Sequence, residues 1–194
     1  MNGLLEKYND FKRIIGYRVC YTLETGKIIS FTYKKENFAH LIGLHKLIDI
    51  QIIQLWLNKN VRSVKLKDIY RAIERETLTE TDIKNSVHFF KIQNRYSQLS
   101  YQNLTTVSYT DVIVSFDKTI INSKLNSNYI LYEQNIYGGY NHLGIVFNSM
   151  QNDAYIETFF CENNNSYIQN QITEKIIDYK LFDINGNLII NDKF

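Results

Sequence analysis

Apolar side chains recur every three or four positions through most of the first hundred residues, and every second position beyond Tyr109. Leu4, Leu5, Tyr8, Phe11 and Ile15 trace one helical face that stops at Gly16. The period then drops to two. Tyr17, Val19 and Tyr21 alternate with Arg18, Cys20 and Thr22, and the run Ile28 to Lys34 alternates again after Glu24-Thr25-Gly26-Lys27, which predicts a β-hairpin. Glu36 and Asn37 stand in capping positions ahead of Leu41, Leu44, Leu47 and Ile48, predicting a helix over 37–48. Further helices are predicted over 49–57, with Trp56, and over 66–76, with Leu66, Ile69, Tyr70 and Ile73 facing inward. Thr79-Glu-Thr-Asp82 has the form of a capping box, from which one helix is expected to run through Ile83, Val87, Phe90, Tyr96 and Leu99 as far as Leu104.

The second half reads as strands: Val112 to Phe116, Tyr129 to Gln134, Leu143 to Phe147, Ala154 to Cys161 and Ile176 to Ile184, separated by Asn, Ser, Gly and Asp clusters. Asn185-Gly186 is a two-residue hairpin signal leading into Leu188 to Ile190. Helices in front and strands behind predict an α+β fold, several N-terminal helices packed on a mainly antiparallel β-sheet, with an N-terminal hairpin. No repeat, low-complexity tract or linker divides the chain, so a single domain over 1–194 is expected.

Composition narrows the class without choosing a function. Hydrophobic residues at 44% and charged residues at 22% suit a soluble globular protein. There are 15 Tyr and 11 Phe and no Pro; Tyr, Asn, Ile and Lys are the residues an A+T-rich genome favours, so aromatic abundance alone is no sign of an RNA-binding surface. Cys20 and Cys161 lie in apolar runs, read as buried thiols of a reducing compartment. Met1 to Asp10 carries Glu6, Lys7 and Asp10 in place of a hydrophobic signal core, and no run of 18 apolar residues occurs, so a cytoplasmic location away from membranes is expected. The net charge of +2 conceals an asymmetry: residues 1–75 hold 14 Lys or Arg against 7 Asp or Glu, and residues 76–194 hold 8 against 13. A basic half suits a polyanionic partner. Its densest part (Lys59, Arg62, Lys65, Lys67, Arg71, Arg75) could equally be a solvated helix face.

The segment Phe38-Ala-His40-Leu-Ile-Gly43-Leu-His45-Lys46-Leu47 holds two of the 4 histidines. At 100° per residue His40, Gly43, Leu44 and Leu47 share a side, which turns His40 inward. A glycine inside a helix costs roughly 1 kcal/mol relative to Ala and signals a close approach to the backbone, by a strand or a ligand. His40 then reads either as a core imidazole satisfied by carbonyls or as a catalytic group, and His45 and Lys46 as solvated or as substrate contacts. His88, beside Phe89 and Phe90, reads as structural or exposed. Gly138-Gly139 lacks the lysine and spacing of a phosphate-binding loop, the histidines are not paired for zinc, and no serine sits in a nucleophile elbow. No metal and no cofactor is expected. What remains is acid/base chemistry by imidazole. His142 opens a strand in Tyr140-Asn-His142-Leu-Gly144-Ile, where a loop-side strand end can present it to substrate. Thr158 sits within an apolar strand, and Asn170-Gln171 precede the last long one.

His40-Leu-Ile-Gly43-Leu-His-Lys46, then His142-Leu-Gly144-Ile, Thr158-Phe159 and Asn170-Gln171 with Ile176 follow an order that resembles the PBECR nuclease family of phages and mobile elements, best its fourth class. That name abbreviates phage relatives of the barnase, EndoU, colicin and RelE ribonucleases. The similarity spans Tyr17 to about Ile184, with the final hairpin, Asp183 to Phe194, beyond the expected core. The resemblance implies helices on an antiparallel sheet and metal-independent RNA cleavage, with cellular RNA, tRNA among it, as substrate. It also implies His40 and His142 as the acid/base pair, Lys46 as a phosphate contact and Thr158 as an orienting hydroxyl. His45, Gln171, Asn170, Tyr140 and Lys35 would contact substrate. Two other readings accompany it: a non-catalytic module that binds RNA or a host defence protein, and a toxin held silent by an inhibitor.

Overall fold

The computed structural model describes residues 3–58, 60, 64–105, 109–135, 137–148 and 153–193. Lys59 and Arg62 of the basic stretch, and Phe194 of the final hairpin, lie outside the described residues. Helix α1 (Gly3–Lys12) buries Leu4, Tyr8 and Phe11 along one face. Strands β1 (Arg18–Leu23) and β2 (Ile28–Thr32) form the expected hairpin, their Val19, Tyr21, Ile29 and Phe31 turned to the core. Next come α2 (Asn37–Leu41), a 3-10 turn at Leu44–Lys46, α3 (Gln51–Leu57) and α4 (Leu66–Glu74). Tyr8 stacks on the Tyr70 ring at 5.1 Å and so ties α1 to α4.

The single helix expected from Thr79 to Leu104 is four pieces: α5 (Glu80–Asn85), a 3-10 turn at Phe89–Lys91, α6 (Gln93–Gln98) and α7 (Tyr101–Thr105). Its start is as read, with Thr79 and Asp82 exchanging capping bonds. Its break comes from a distant side chain. The Asp49 carboxylate accepts from Ser86 Oγ at 2.5 Å and from the Val87 amide at 2.9 Å, drawing Ser86 into an extended conformation. No local glycine or proline announces this.

Strands β3 (Asp111–Val114), β4 (Tyr129–Gln134), β5 (Tyr140–Asn148), β6 (Asp153–Glu162), β7 (Thr173–Phe182) and β8 (Leu188–Lys193) complete the chain. All pairings are antiparallel, in the order β2-β1-β7-β3-β4-β5-β6, with β8 on β7. β1 pairs with β7 from Ile176 to Phe182, and the other edge of β7 is shared between β3 near its start and β8 near its end. The sheet curls until β2 approaches β6, and α2 and α6 pack against β6 in the remaining gap. This nearly closed sheet encloses a core of Tyr21, Phe31, Leu131, Leu143, Phe159 and Tyr179. Among the described residues the outer edge of β6 has no hydrogen-bonded strand partner, and a cleft opens along it.

Two local expectations change. The helix over 37–48 ends at Leu41, because Gly43 takes φ 84° and the chain turns back as a 3-10 turn. Cys20 and Cys161 are half-buried free thiols rather than fully buried ones. Among the described residues no helix is long and apolar enough to cross a membrane.

Candidate active site

A cleft of about 1180 Å³ follows the edge of β6. Its helical bank carries His40 from α2, His45 and Lys46 from the first 3-10 turn, Lys91 from the second and Arg95 from α6. The opposite bank is β6 itself, with Glu157, Thr158, Phe160 and Glu162, joined by Tyr167 and by Lys124.

Gly43 shapes the helical bank. Its positive φ ends α2 and swings His45 and Lys46 toward the cleft. A Cβ at this position would stand 2.8 Å from Arg95 Cδ and 2.7 Å from Ile92 Cγ2. The close approach read from the sequence is real, and what approaches is α6 rather than a strand or a ligand. Gly43→Ala therefore meets both left-handed strain and overpacking, and should destabilise the fold by about 2–4 kcal/mol. A urea midpoint equal to that of the wild type would contradict this account of Gly43.

Positive charge is concentrated on the helical bank, where Lys46, Lys91 and Arg95 form no ion pair among the described residues. Arg95 is 6 % exposed, its Nη1 has no hydrogen-bond partner, and no carboxylate of the described residues pairs with it. Burial pulls its pKa down to about 10, against the opposing influence of Cys161 and Tyr167. Burial also lowers the Lys46 pKa, and the neighbouring Arg95 and Lys91 lower it further. His45 is pushed down to about 4 by burial first, then by His40, Arg95 and Lys46; its Nδ1 lacks a partner. The His40 ring lies 5.3 Å from that of His45 and 5.9 Å from the Trp56 ring. His40, expected to face inward, is exposed at the cleft, because α2 ends one residue later and the chain turns at Gly43; partial burial lowers its pKa, which favours the neutral imidazole. The carboxylates on the other bank are already engaged. Glu157 accepts from the Asn126 amide at 3.0 Å and Ser127 Oγ at 2.6 Å, and Glu162 accepts from the Tyr167 amide at 3.3 Å.

The residues singled out from sequence divide into two groups. His40, His45, Lys46 and Thr158 line the cleft. His142 does not: it is 0 % exposed, stacked on Phe160 at 4.6 Å, and its Nε2 lies 2.9 Å from Glu162 Oε1. The pairing of His40 with His142 at one lip is therefore not formed. The reason is that β5 begins at Tyr140, three residues before the expected run from Leu143 and two before His142, so His142 sits inside the sheet between Tyr132 and Phe160 of the neighbouring strands. It meets the cleft from behind, through its hydrogen bond to Glu162 and its ring contacts with Phe160 and Tyr167. Tyr140 belongs to the same aromatic layer, 6.3 Å from the His142 ring, and does not line the cleft. Gln171 spends both ends of its amide on the Asp117 backbone, accepting at 3.0 Å and donating at 2.9 Å. Asn170 is an exposed turn residue with φ 62°, and the Lys35 ammonium lies over the Tyr70 ring at 5.3 Å; neither lines the cleft. His88 is half-buried.

Sequence reasoning missed Arg95, Lys91 and Glu162. Gln93-Asn94-Arg95 reads as the polar face of a helix, and only the glycine at 43, fifty residues away, hints that one member of it points inward. Among the described residues no three His, Cys, Asp or Glu side chains gather as a metal site would require.

The model of the family described as phage-Barnase-EndoU-ColicinE5/D-RelE like nuclease4, PBECR4, matches residues 3–193. That span takes in α1 and β8 as well as the cleft. No curated protein and no solved structure shows significant similarity to the chain.

Proposed function

The chain belongs to the PBECR4 family of nuclease-like proteins, and from that premise we propose that it is an endoribonuclease that cleaves by internal attack of the ribose 2′-hydroxyl, without a metal ion. One observation carries the reading: the imidazole of His40, its pKa lowered by burial, lines the same cleft as Lys46 and as Arg95, which has no carboxylate partner among the described residues. His40 takes the proton of the 2′-hydroxyl, and the freed oxygen attacks the adjacent phosphorus. The P–O5′ bond breaks, and the Lys46 ammonium gives its proton to the departing 5′-oxygen. The products are a 2′,3′-cyclic phosphate and a 5′-hydroxyl. A lysine with a lowered pKa is a better acid here than an exposed one, because it surrenders its proton more readily. The Thr158 hydroxyl, on the β6 bank of the cleft, orients the ribose. His142 acts through Glu162 as a positioning residue rather than as a second imidazole at the phosphate. The substrate is cellular RNA, to which the excess of lysine and arginine in the first 75 residues adds long-range attraction.

The test is incubation of the purified protein with total RNA in excess EDTA, followed by mapping of the new ends. Cyclic phosphate termini that disappear with His40→Ala support the reading. RNA that is bound in a salt-sensitive way yet stays intact would make the protein a binding module instead.

The pH profile follows from the two shifts. Activity should rise with pH as His40 loses its proton, with a midpoint below 6.5, and fall as Lys46 loses its own, with a midpoint below 10.5. Measured kcat/KM across that range would locate both limbs. An acid limb that persists unchanged in His40→Gln would assign the base elsewhere.

A further inference from the structure

We infer that Arg95, flanked by Lys46 and Lys91, forms a built phosphate-binding site at the helical side of the cleft, and that this site holds the backbone phosphate of the bound nucleic acid. The inference rests on the nuclease reading for its ligand and on the structure for its geometry. A guanidinium 6 % exposed with an unpartnered Nη1 is costly to keep, since burial of a charge is offset only by a close opposite charge or by full hydrogen bonding. Neither is supplied by the described residues. The protein nevertheless reserves room for it: Gly43 omits the side chain that would collide with Arg95 Cδ at 2.8 Å and crowd its Nη1 at 3.3 Å. Lys46 and Lys91 add charge of the same sign, which worsens the free state and improves an anion-bound one. The His45 Nδ1, also buried and unpartnered, offers a further polar atom on the same bank. A tetrahedral oxyanion suits this set, because a planar guanidinium can donate two parallel hydrogen bonds to it while the ammonium groups neutralise its remaining charge. During cleavage the same groups would face the extra negative charge that develops on the phosphorane.

Thermal unfolding and calorimetry of the intact protein in a phosphate-free, sulfate-free buffer test this, with inorganic phosphate as the first probe and a 2′-deoxy dinucleotide, which cannot be cleaved by this route, as the second. Inorganic phosphate at a hundredfold excess over its Kd should raise Tm by about 5–10 °C, and the dinucleotide should displace it. Arg95→Met should lose the phosphate response while melting no lower than the wild type in its absence, because an unpaired buried charge has been removed. Arg95→Lys, which keeps the charge but not the fork, should bind about tenfold more weakly. A wild type indifferent to phosphate, an Arg95→Met or Arg95→Lys protein that responds as the wild type does, or a dinucleotide that binds beside phosphate without displacing it would each overturn the inference. Phosphate binding without any RNA cleavage would leave this site standing and remove the nuclease reading; cleavage without phosphate binding would do the reverse.

Discussion

Replacing His40 with alanine is expected to lower kcat for RNA cleavage by about 10²–10⁴-fold, the usual contribution of a positioned general base, while leaving the fold intact. The ring is exposed at the cleft and makes no hydrogen bond to the described residues that would hold α2 in place; the helix is anchored by Phe38 and Leu41, both fully buried. Its loss should shift stability by no more than about 0.5 kcal/mol. Because burial lowers the His40 pKa, the neutral, proton-accepting form of the ring is favoured. His40→Gln, which keeps bulk and polarity but cannot take the proton, should be as inactive as the alanine variant. Single-turnover kinetics with Tm measured on the same preparations separate these effects. A His40→Ala protein that cleaves within threefold of the wild type would show that the imidazole is a bystander.

His142 should behave in the opposite way. The ring is fully enclosed, packed face to face on Phe160 and hydrogen-bonded to Glu162. His142→Ala leaves a cavity in the aromatic layer and strips Glu162 of one partner, so a stability loss of about 3–5 kcal/mol is expected. His142→Gln keeps a donor near the Nε2 position and should recover part of that loss. At a temperature where both variants are folded, cleavage by His142→Gln should remain within about tenfold of the wild type, since no proton passes between this ring and RNA. Chemical denaturation and kcat compared on the glutamine variant decide the matter. Wild-type stability combined with a thousandfold loss of kcat would return His142 to the catalytic pair.

The two histidines also show where sequence reading reached its limit. The antiparallel sheet was legible because alternation at period two and the Asn185-Gly186 turn are local signals, and the strands fall on or near the predicted runs. The cleft's first bank was half legible: Gly43 announced a close approach, and His40, His45 and Lys46 do line one cavity. The other half of that bank depends on α6, which stands apart only because Asp49 pulls Ser86 and Val87 out of helical register. A contact between residues almost forty positions apart leaves no trace in periodicity. The enclosure of His142 was hidden for a related reason. A two-residue extension of β5 across polar Tyr140 and Asn141 moves the histidine from a strand end to the sheet interior, and the pairing partners Tyr132 and Phe160 that bury it are set by register.

The reaction assigned to the cleft requires a nucleophile that belongs to the RNA itself. The most direct measurement is therefore cleavage of two oligonucleotides identical but for one atom, the 2′-oxygen at the mapped cut site, in excess EDTA. The account predicts that the 2′-deoxy substitution abolishes cutting at that position while leaving binding unchanged; equal cleavage of both strands would contradict it.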